Sequence, residues 1–288
     1  MKITYYKGKR PNFGDDLNPW MWPKVIPDFF DEDASAVFLG IGSIIGETAY
    51  DKAVKKIVFG AGFVPEYHEK PDMSGNDWRV YFVRGPRTAK MLGLAPELAL
   101  GDSAILLRTV VKPAPDLSGP VSFMPHWESM QRGNWTEVCR LAGIRLVNPQ
   151  SPVETVIEDL RTSRLVIAEA MHGAVVADAL RVPWIPVLPL NAAHRAKWLD
   201  WSEPLGVGLH PRRLWPSSLA EAKLSFLRKM IAGSPFAALS EKGLVHAAAQ
   251  KLTDIARTTA PRLSEDRVIG RATEKMLEKI VQLRRDFR

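Results

Sequence analysis

The residues whose types and spacing best suit chemistry surround His172. Leu165 to Ala168 is an apolar run of strand length, and Glu169-Ala170-Met171-His172-Gly173-Ala174 turns it into an Ala/Val/Leu-rich segment. A second β-branched run follows at Val182 to Val187, so the stretch reads as a β-turn-α-β unit. His172 falls where the strand ends and the helix begins. Free backbone N–H groups and the positive end of the helix dipole favour an anion there, and Gly173 and Ala174 leave room for one. A histidine in that position can give or take a proton beside a bound anion; its structural alternative is a histidine hydrogen-bonded at a helix start.

Other candidates stand at similar turns. Asn12-Phe13-Gly14-Asp15-Asp16 follows a first strand at Ile3 to Tyr6 and leads into a short helix. Asn12 and Gly14 supply turn chemistry, and Asp15 and Asp16 can accept hydrogen bonds from sugar hydroxyls. Arg84 and Arg87 flank Pro86 at a strand end and helix start, where paired guanidinium groups could grip phosphate or carboxylate; as surface arginines they need no such role. Asp102 reads as buried, and His126-Trp127-Glu128 ends a strand at the edge that carries ligands in open α/β sheets. His194, Arg195 and Lys197 open a helix with Trp198 and Trp201: either the helix covers a sheet edge with the tryptophans as core, or the basic side chains reach the His172 site.

The elements that must position these residues alternate as βα units. Ala36 to Ser43 and Lys56 to Gly62 are continuous apolar runs ending in glycines, as buried parallel strands are. Gly40, Gly42 and Gly46 are spaced one residue too long for a dinucleotide fingerprint, and they follow the second strand. Strands are also expected at Arg79–Val83, Val121–Pro125 and Ile144–Val147, and helices at 134–142 and 152–162. The proline-rich stretch 112–119 reads as a linker. The domains expected are 1–111, an N-terminal Rossmann-like lobe on the acceptor side that holds part of the anion site, and 120–216, a C-terminal Rossmann-like lobe on the donor side that carries His172. C-terminal helices follow at 217–288, the last packing back on the first lobe. The fold class is α/β, two Rossmann-like lobes in a glycosyltransferase-B-like arrangement.

Composition sets outer bounds. The 288 residues, 46% hydrophobic, suit a soluble globular protein of about two domains. No signal-peptide core or membrane-length apolar run is present, so a cytoplasmic location is expected. One cysteine, Cys139, excludes an intrachain disulfide and reads as core. Residues 217–288 hold fourteen Lys/Arg against eight Asp/Glu, most of the net charge of +7. No nucleic-acid-binding signature accompanies them, so no nucleic-acid partner is expected. On the last helix Leu263, Ile269, Met276, Ile280 and Leu283 form an apolar stripe, with Arg267, Arg271, Lys275, Lys279 and Arg284 opposite, a face that suits solvent or an anionic inner-membrane surface. No metal ligands appear at ligand spacing, and no metal is expected.

Taken together, Asn12-Phe13-Gly14-Asp15, Phe59-Gly60-Ala61-Gly62, Arg84 with Arg87 and Thr88, Gly101-Asp102-Ser103-Ala104, His126 and Met171-His172-Gly173 with Ala177 and Val182-Pro183 make the chain resemble the polysaccharide pyruvyl transferase family. The resemblance covers roughly residues 1–200 and is greatest to the exopolysaccharide branch. It departs at Ala170, where many members carry an arginine two residues before the motif histidine. The resemblance implies transfer of a pyruvyl group from phosphoenolpyruvate to two hydroxyls of one sugar, lipid-linked or soluble, with release of phosphate and no cofactor. It implies catalytic roles for His172, Asp15 and Asp16. Substrate binding would fall to Asn12, Gly14, Arg84, Arg87, Asp102, His126, Gly173, His194, Arg195 and Lys197, with Arg195 or Lys197 replacing the missing arginine.

Two other classes compete. A nucleotide-sugar glycosyltransferase would share the two-lobed plan and would use Glu128 and Trp127 for ribose and base. A non-catalytic module for anionic polymers would rest on the basic tail alone.

Overall fold

The computed structural model describes residues 1–47, 55–114, 116–191, 194–224 and 240–287. Pro115 of the expected linker, Ala192 and Ala193 before His194, and the 225–239 part of the expected C-terminal helices lie outside them. The chain divides into two compact units. The first comprises Met1–Lys112, Ala196–Leu209 and Ser264–Arg288; the second comprises Pro113–Arg195 and His210–Leu263. Both are α/β with parallel sheets.

In the first unit β1 (Lys2–Thr4), β2 (Ala36–Leu39), β3 (Lys55–Phe59) and β4 (Trp78–Phe82) pair in sequence order, all parallel. Ala36 to Leu39 are buried throughout, as a parallel strand covered on both faces should be. The expected short helix after β1 is longer: α1 spans Phe13–Val25 despite Pro19 and Pro23. Pro19 has no N–H for the carbonyl of Asp15 one turn back. Asn18 Nδ2 donates to that carbonyl instead, at 3.1 Å, and so offsets the missing backbone bond. Helix α2 (Pro86–Leu92) begins on Pro86 and ends on Gly93 at φ 72°, in the left-handed region where glycine is favoured.

The second unit holds β5 (Val121–Met124), β6 (Arg145–Leu146), β7 (Leu165–Ala168), β8 (Trp184–Leu188) and β9 (Arg212–Arg213), in spatial order β6-β5-β7-β8-β9 and all parallel. Helices α3 (Trp127–Arg132), α4 (Trp135–Ala142), α5 (Val153–Arg161) and α6 (Met171–Ala179) connect the first four of these strands. Trp135, Val138 and Cys139 of α4 pack with Val245, Ala248, Leu252 and Ile255 of the helix Glu241–Thr258. Cys139 is part of this core, where burial pushes its thiol up to about 12.

Sequence continuity placed 120–216 in one lobe. The segment Ala196–Leu209 instead belongs to the first unit, because helix α7 (Ala196–Ser202) buries Trp198 and Trp201 there and packs against α2. The helix Asp266–Asp286 lies in the same unit, on β4 and the turn Ser103–Thr109, burying Ile269, Met276, Ile280 and Leu283. Leu263 precedes that helix and is half exposed, so it falls outside the stripe. Among the described residues, no helix is long and apolar enough to cross a membrane.

Candidate functional site

In the second unit, strand order in chain terms is 2-1-3-4-5, and the winding reverses between β5 and β7. Ligands of doubly wound sheets bind outside the carboxyl ends of the strands at such a reversal. His126 follows β5 there, and Glu169, Ala170 and His172 follow β7. Asn191, His194 and Arg195 follow β8, the next strand along.

Glu169 ties these three strand ends together. One carboxylate oxygen accepts the His126 N–H at 2.8 Å, and the other accepts the Ser129 hydroxyl and the Leu190 N–H, each at 2.9 Å. The side chain is wholly buried, and burial raises its pKa against the pull of these donors. Motif spacing assigns Glu169 no role. The available signal was a lone acid at the end of the apolar run Val166-Ile167-Ala168.

His172 is the second residue of α6, after Ala170 at the N-cap position, and is half-buried. Gly173 was expected to leave room for an anion. On its Cβ side the glycine meets β5: a Cβ on Gly173 would lie 2.7 Å from Met124 Sδ and 3.3 Å from Met124 Cβ, so the missing side chain lets α6 approach the end of that strand.

Next to Glu169, the His126 and His194 rings stack with centroids 4.0 Å apart and planes 25° apart. Glu128 Oε2 lies 3.2 Å from His194 Nε2 and accepts hydrogen bonds from Asn191 Nδ2 at 3.0 Å and Arg132 Nη1 at 2.9 Å. The His194 contact foremost, then Asn191, holds the Glu128 carboxyl well below the usual range, overcoming its partial burial. Spacing along the chain showed no such cluster because His194 is supplied by the loop after β8. Beneath it, Glu221 Oε1 accepts Trp135 Nε1–H at 2.7 Å and Oε2 accepts the Ser217 N–H at 2.8 Å; burial pushes its carboxyl up to about 7. Arg195 donates through Nε and Nη2 to the Pro189 carbonyl, at 3.1 and 2.9 Å, which fixes its guanidinium at the end of β8.

The remaining expected residues lie in the first unit. Arg84 and Arg87 do not form an open anion grip. Arg84 is fully buried, with Nε donating to Asp200 Oδ2 at 3.0 Å and Nη1 to Ser43 Oγ at 2.7 Å. Arg87 pairs with Glu203 at 2.8 Å on the surface. Asp102 caps the turn Ser103–Thr109, accepting the Ala104 N–H at 2.9 Å. Lys197 sits on α7, in the first unit, half-buried.

Asn12, Gly14, Asp15 and Asp16 do come together at the start of α1. Asn12 Nδ2 donates to Asp15 Oδ2 at 2.6 Å, and the Asn12 N–H to Asp16 Oδ2 at 2.9 Å. Asn12 and both acids line a cavity of about 270 Å³ with Tyr5, Tyr6, Lys7, Lys9 and Arg10. Burial, then Asp16 and Asp15, raises the Tyr5 pKa and keeps its hydroxyl a donor.

Compared with known proteins, the chain is 38% identical over 234 residues to the succinoglycan biosynthesis protein ExoV of Rhizobium meliloti (strain 1021), an alignment covering 79% of this chain and 72% of that protein. The chain belongs to the ExoV family. No family model matches it, and no solved structure matches it. Placed on this ExoV-family chain, the strand ends of the second unit bring His126, Glu169, His172, His194 and Arg195 to one sheet edge.

Proposed function

We propose that this chain is a pyruvyl transferase of exopolysaccharide biosynthesis. It moves the three-carbon unit of phosphoenolpyruvate onto two hydroxyls of one sugar, forming a cyclic ketal and releasing phosphate. The observation that carries the reading is the position of His172, at a helix start on the carboxyl edge beside the reversal of the sheet. Kinship with a protein named for succinoglycan biosynthesis supports the polysaccharide setting.

The chemistry balances without redox change. The methylene carbon of the enol takes a proton, and the first sugar hydroxyl adds to the resulting oxocarbenium-like centre as it loses its own. Phosphate then leaves, and the second hydroxyl closes the ring with loss of a second proton. His172 serves as proton donor to the methylene carbon or as base to a hydroxyl. Arg195, held at the end of β8, is the cation we assign to the donor's anionic groups, in place of the arginine that Ala170 lacks. Within the first unit, the cavity over the start of α1 offers carboxylate and tyrosine side chains that suit sugar hydroxyls.

The nucleotide-sugar alternative would use the Glu128 carboxylate for a ribose and Trp127 for a base; Glu128 Oε2 stands among His194, Asn191 and Arg132. A thermal-shift titration separates the two. Phosphoenolpyruvate should raise the melting temperature while uridine diphosphate sugars leave it unchanged. The opposite pattern would replace this reading with glycosyl transfer.

A further inference from the structure

The cluster at the ends of β5 and β8 has a use that pyruvyl transfer does not require. We infer that His126, Glu128 and His194 form a binding site for one divalent transition-metal ion. Their ligand atoms all lie within 4.8 Å of one another, His126 buried and the other two half-buried. Around a tetrahedral zinc ion, with bonds near 2.0–2.2 Å, neighbouring ligand atoms stand roughly 3.3 Å apart. The His194 Nε2 to Glu128 Oε2 distance of 3.2 Å already matches that edge. The ligand atom of His126 lies within 4.8 Å of both, so a small shift of its ring brings it to the same edge length.

Size and charge choose a cation over an anion here. The cavity lined by these side chains has a volume of about 10 Å³, room for a single ion and far too little for a phosphate or a carboxylate ligand. Glu169 and Glu221, whose buried carboxyl groups favour the protonated form, line it together with Glu128, so the negative charge that faces an ion is that of Glu128. One basic group, Arg132, shares Glu128 at its more exposed margin, and an ion takes over that contact. The donor set selects the class of ion: two imidazoles and a carboxylate suit zinc, iron, cobalt or nickel, whereas magnesium and calcium prefer oxygen throughout.

The site has the second shell that such ligands need. Glu169 fixes the backbone of His126 and of Leu190, so the loops that carry two of the three ligands are held from beneath. Asn191 Nδ2 lies 3.0 Å from Glu128 Oε2 and 3.3 Å from His194 Nε2, and an ion that takes those lone pairs displaces this contact.

Calorimetric titration of the full, untagged chain with Zn²⁺ tests the site without any donor or acceptor present. One ion per chain should bind with Kd below about 10 μM, and excess Mg²⁺ should not displace it. His194→Ala and Glu128→Ala should each weaken binding by about tenfold or more. Absence of saturable binding in the wild type, or unchanged binding in both variants, would overturn the assignment. If the variants fail to fold, X-ray absorption of the zinc-loaded wild type decides: two imidazole ligands support the site, and fewer than two refute it.

Discussion

Asp200 neutralises Arg84 inside the first unit: Arg84 Nε donates to Asp200 Oδ2 at 3.0 Å, with the two side chains 0% and 2% exposed. The same carboxylate caps α2, its Oδ1 accepting the N–H groups of Arg87 and Thr88 at 3.0 Å each and its Oδ2 accepting the Thr88 hydroxyl at 2.6 Å. One buried acid thus satisfies a charge and a helix start that the chain supplies more than a hundred residues earlier.

Removing one partner of such a pair leaves a buried charge without compensation. Asp200→Ala should lower the stability to urea by about 3–5 kcal/mol. Arg87→Ala, which breaks only the exposed contact with Glu203, should change it by less than about 1 kcal/mol. Equal losses in the two variants would mean that the buried network is not what holds α2.

Glu221 makes stability depend on pH in a defined direction. Burial raises its carboxyl from the ordinary 4.5 to about 7, so the folded chain holds a proton that the unfolded chain has released. Its contribution is therefore complete below about pH 4.5, declines as pH rises, and is lost above about pH 7, a change on the order of 3 kcal/mol. Glu169, shifted the same way, adds to the decline. Denaturant melts from pH 5 to 8 should show falling stability in the wild type and a shallower fall in Glu221→Gln. A wild type equally stable across that range would contradict the assignment.

The parts of the fold that follow local rules were legible in the sequence. Continuous apolar runs ending in glycine gave the parallel strands, and Pro86 with Gly93 gave the ends of α2, because these signals act within a few residues. What escaped depended on partners distant in sequence. Arg84 and Arg87 read as an anion grip until Asp200 and Glu203 were placed beside them, and the His126, Glu128 and His194 cluster has no spacing signature. Ala196–Leu209 crosses to the first unit because Trp198 and Trp201 bury there, which no linker composition announces. The missing side chain of Gly173 admits Met124, a contact between elements that local spacing does not announce.

His172→Ala should leave the fold intact, since the side chain is only half-buried and sits in the first turn of α6. It should lower turnover by about 10²-fold or more as the acid or base is lost. Circular dichroism checks the first outcome and acceptor-dependent phosphate release the second; full activity would remove His172 from the mechanism.

The helix Asp266–Asp286 exposes Arg267, Arg271, Lys275 and Arg285 interleaved with Asp266, Glu274 and Glu278, with Leu277 and Val281 also exposed. We propose that this face makes a weak contact with an anionic membrane surface, the acids offsetting most of an attraction of about 1 kcal/mol per basic residue. Co-sedimentation with phosphatidylserine vesicles should appear at low salt and fade at high salt. No binding in either condition would leave the face to solvent.

The most direct test of the account is incubation of the protein with phosphoenolpyruvate and candidate oligosaccharides, reading phosphate release together with the mass of the sugar. Phosphate should be released in step with addition of one ketal-linked pyruvate to an acceptor, and His172→Ala should abolish both. Transfer of a sugar from a nucleotide donor to those acceptors, with phosphoenolpyruvate left unconsumed, would contradict it.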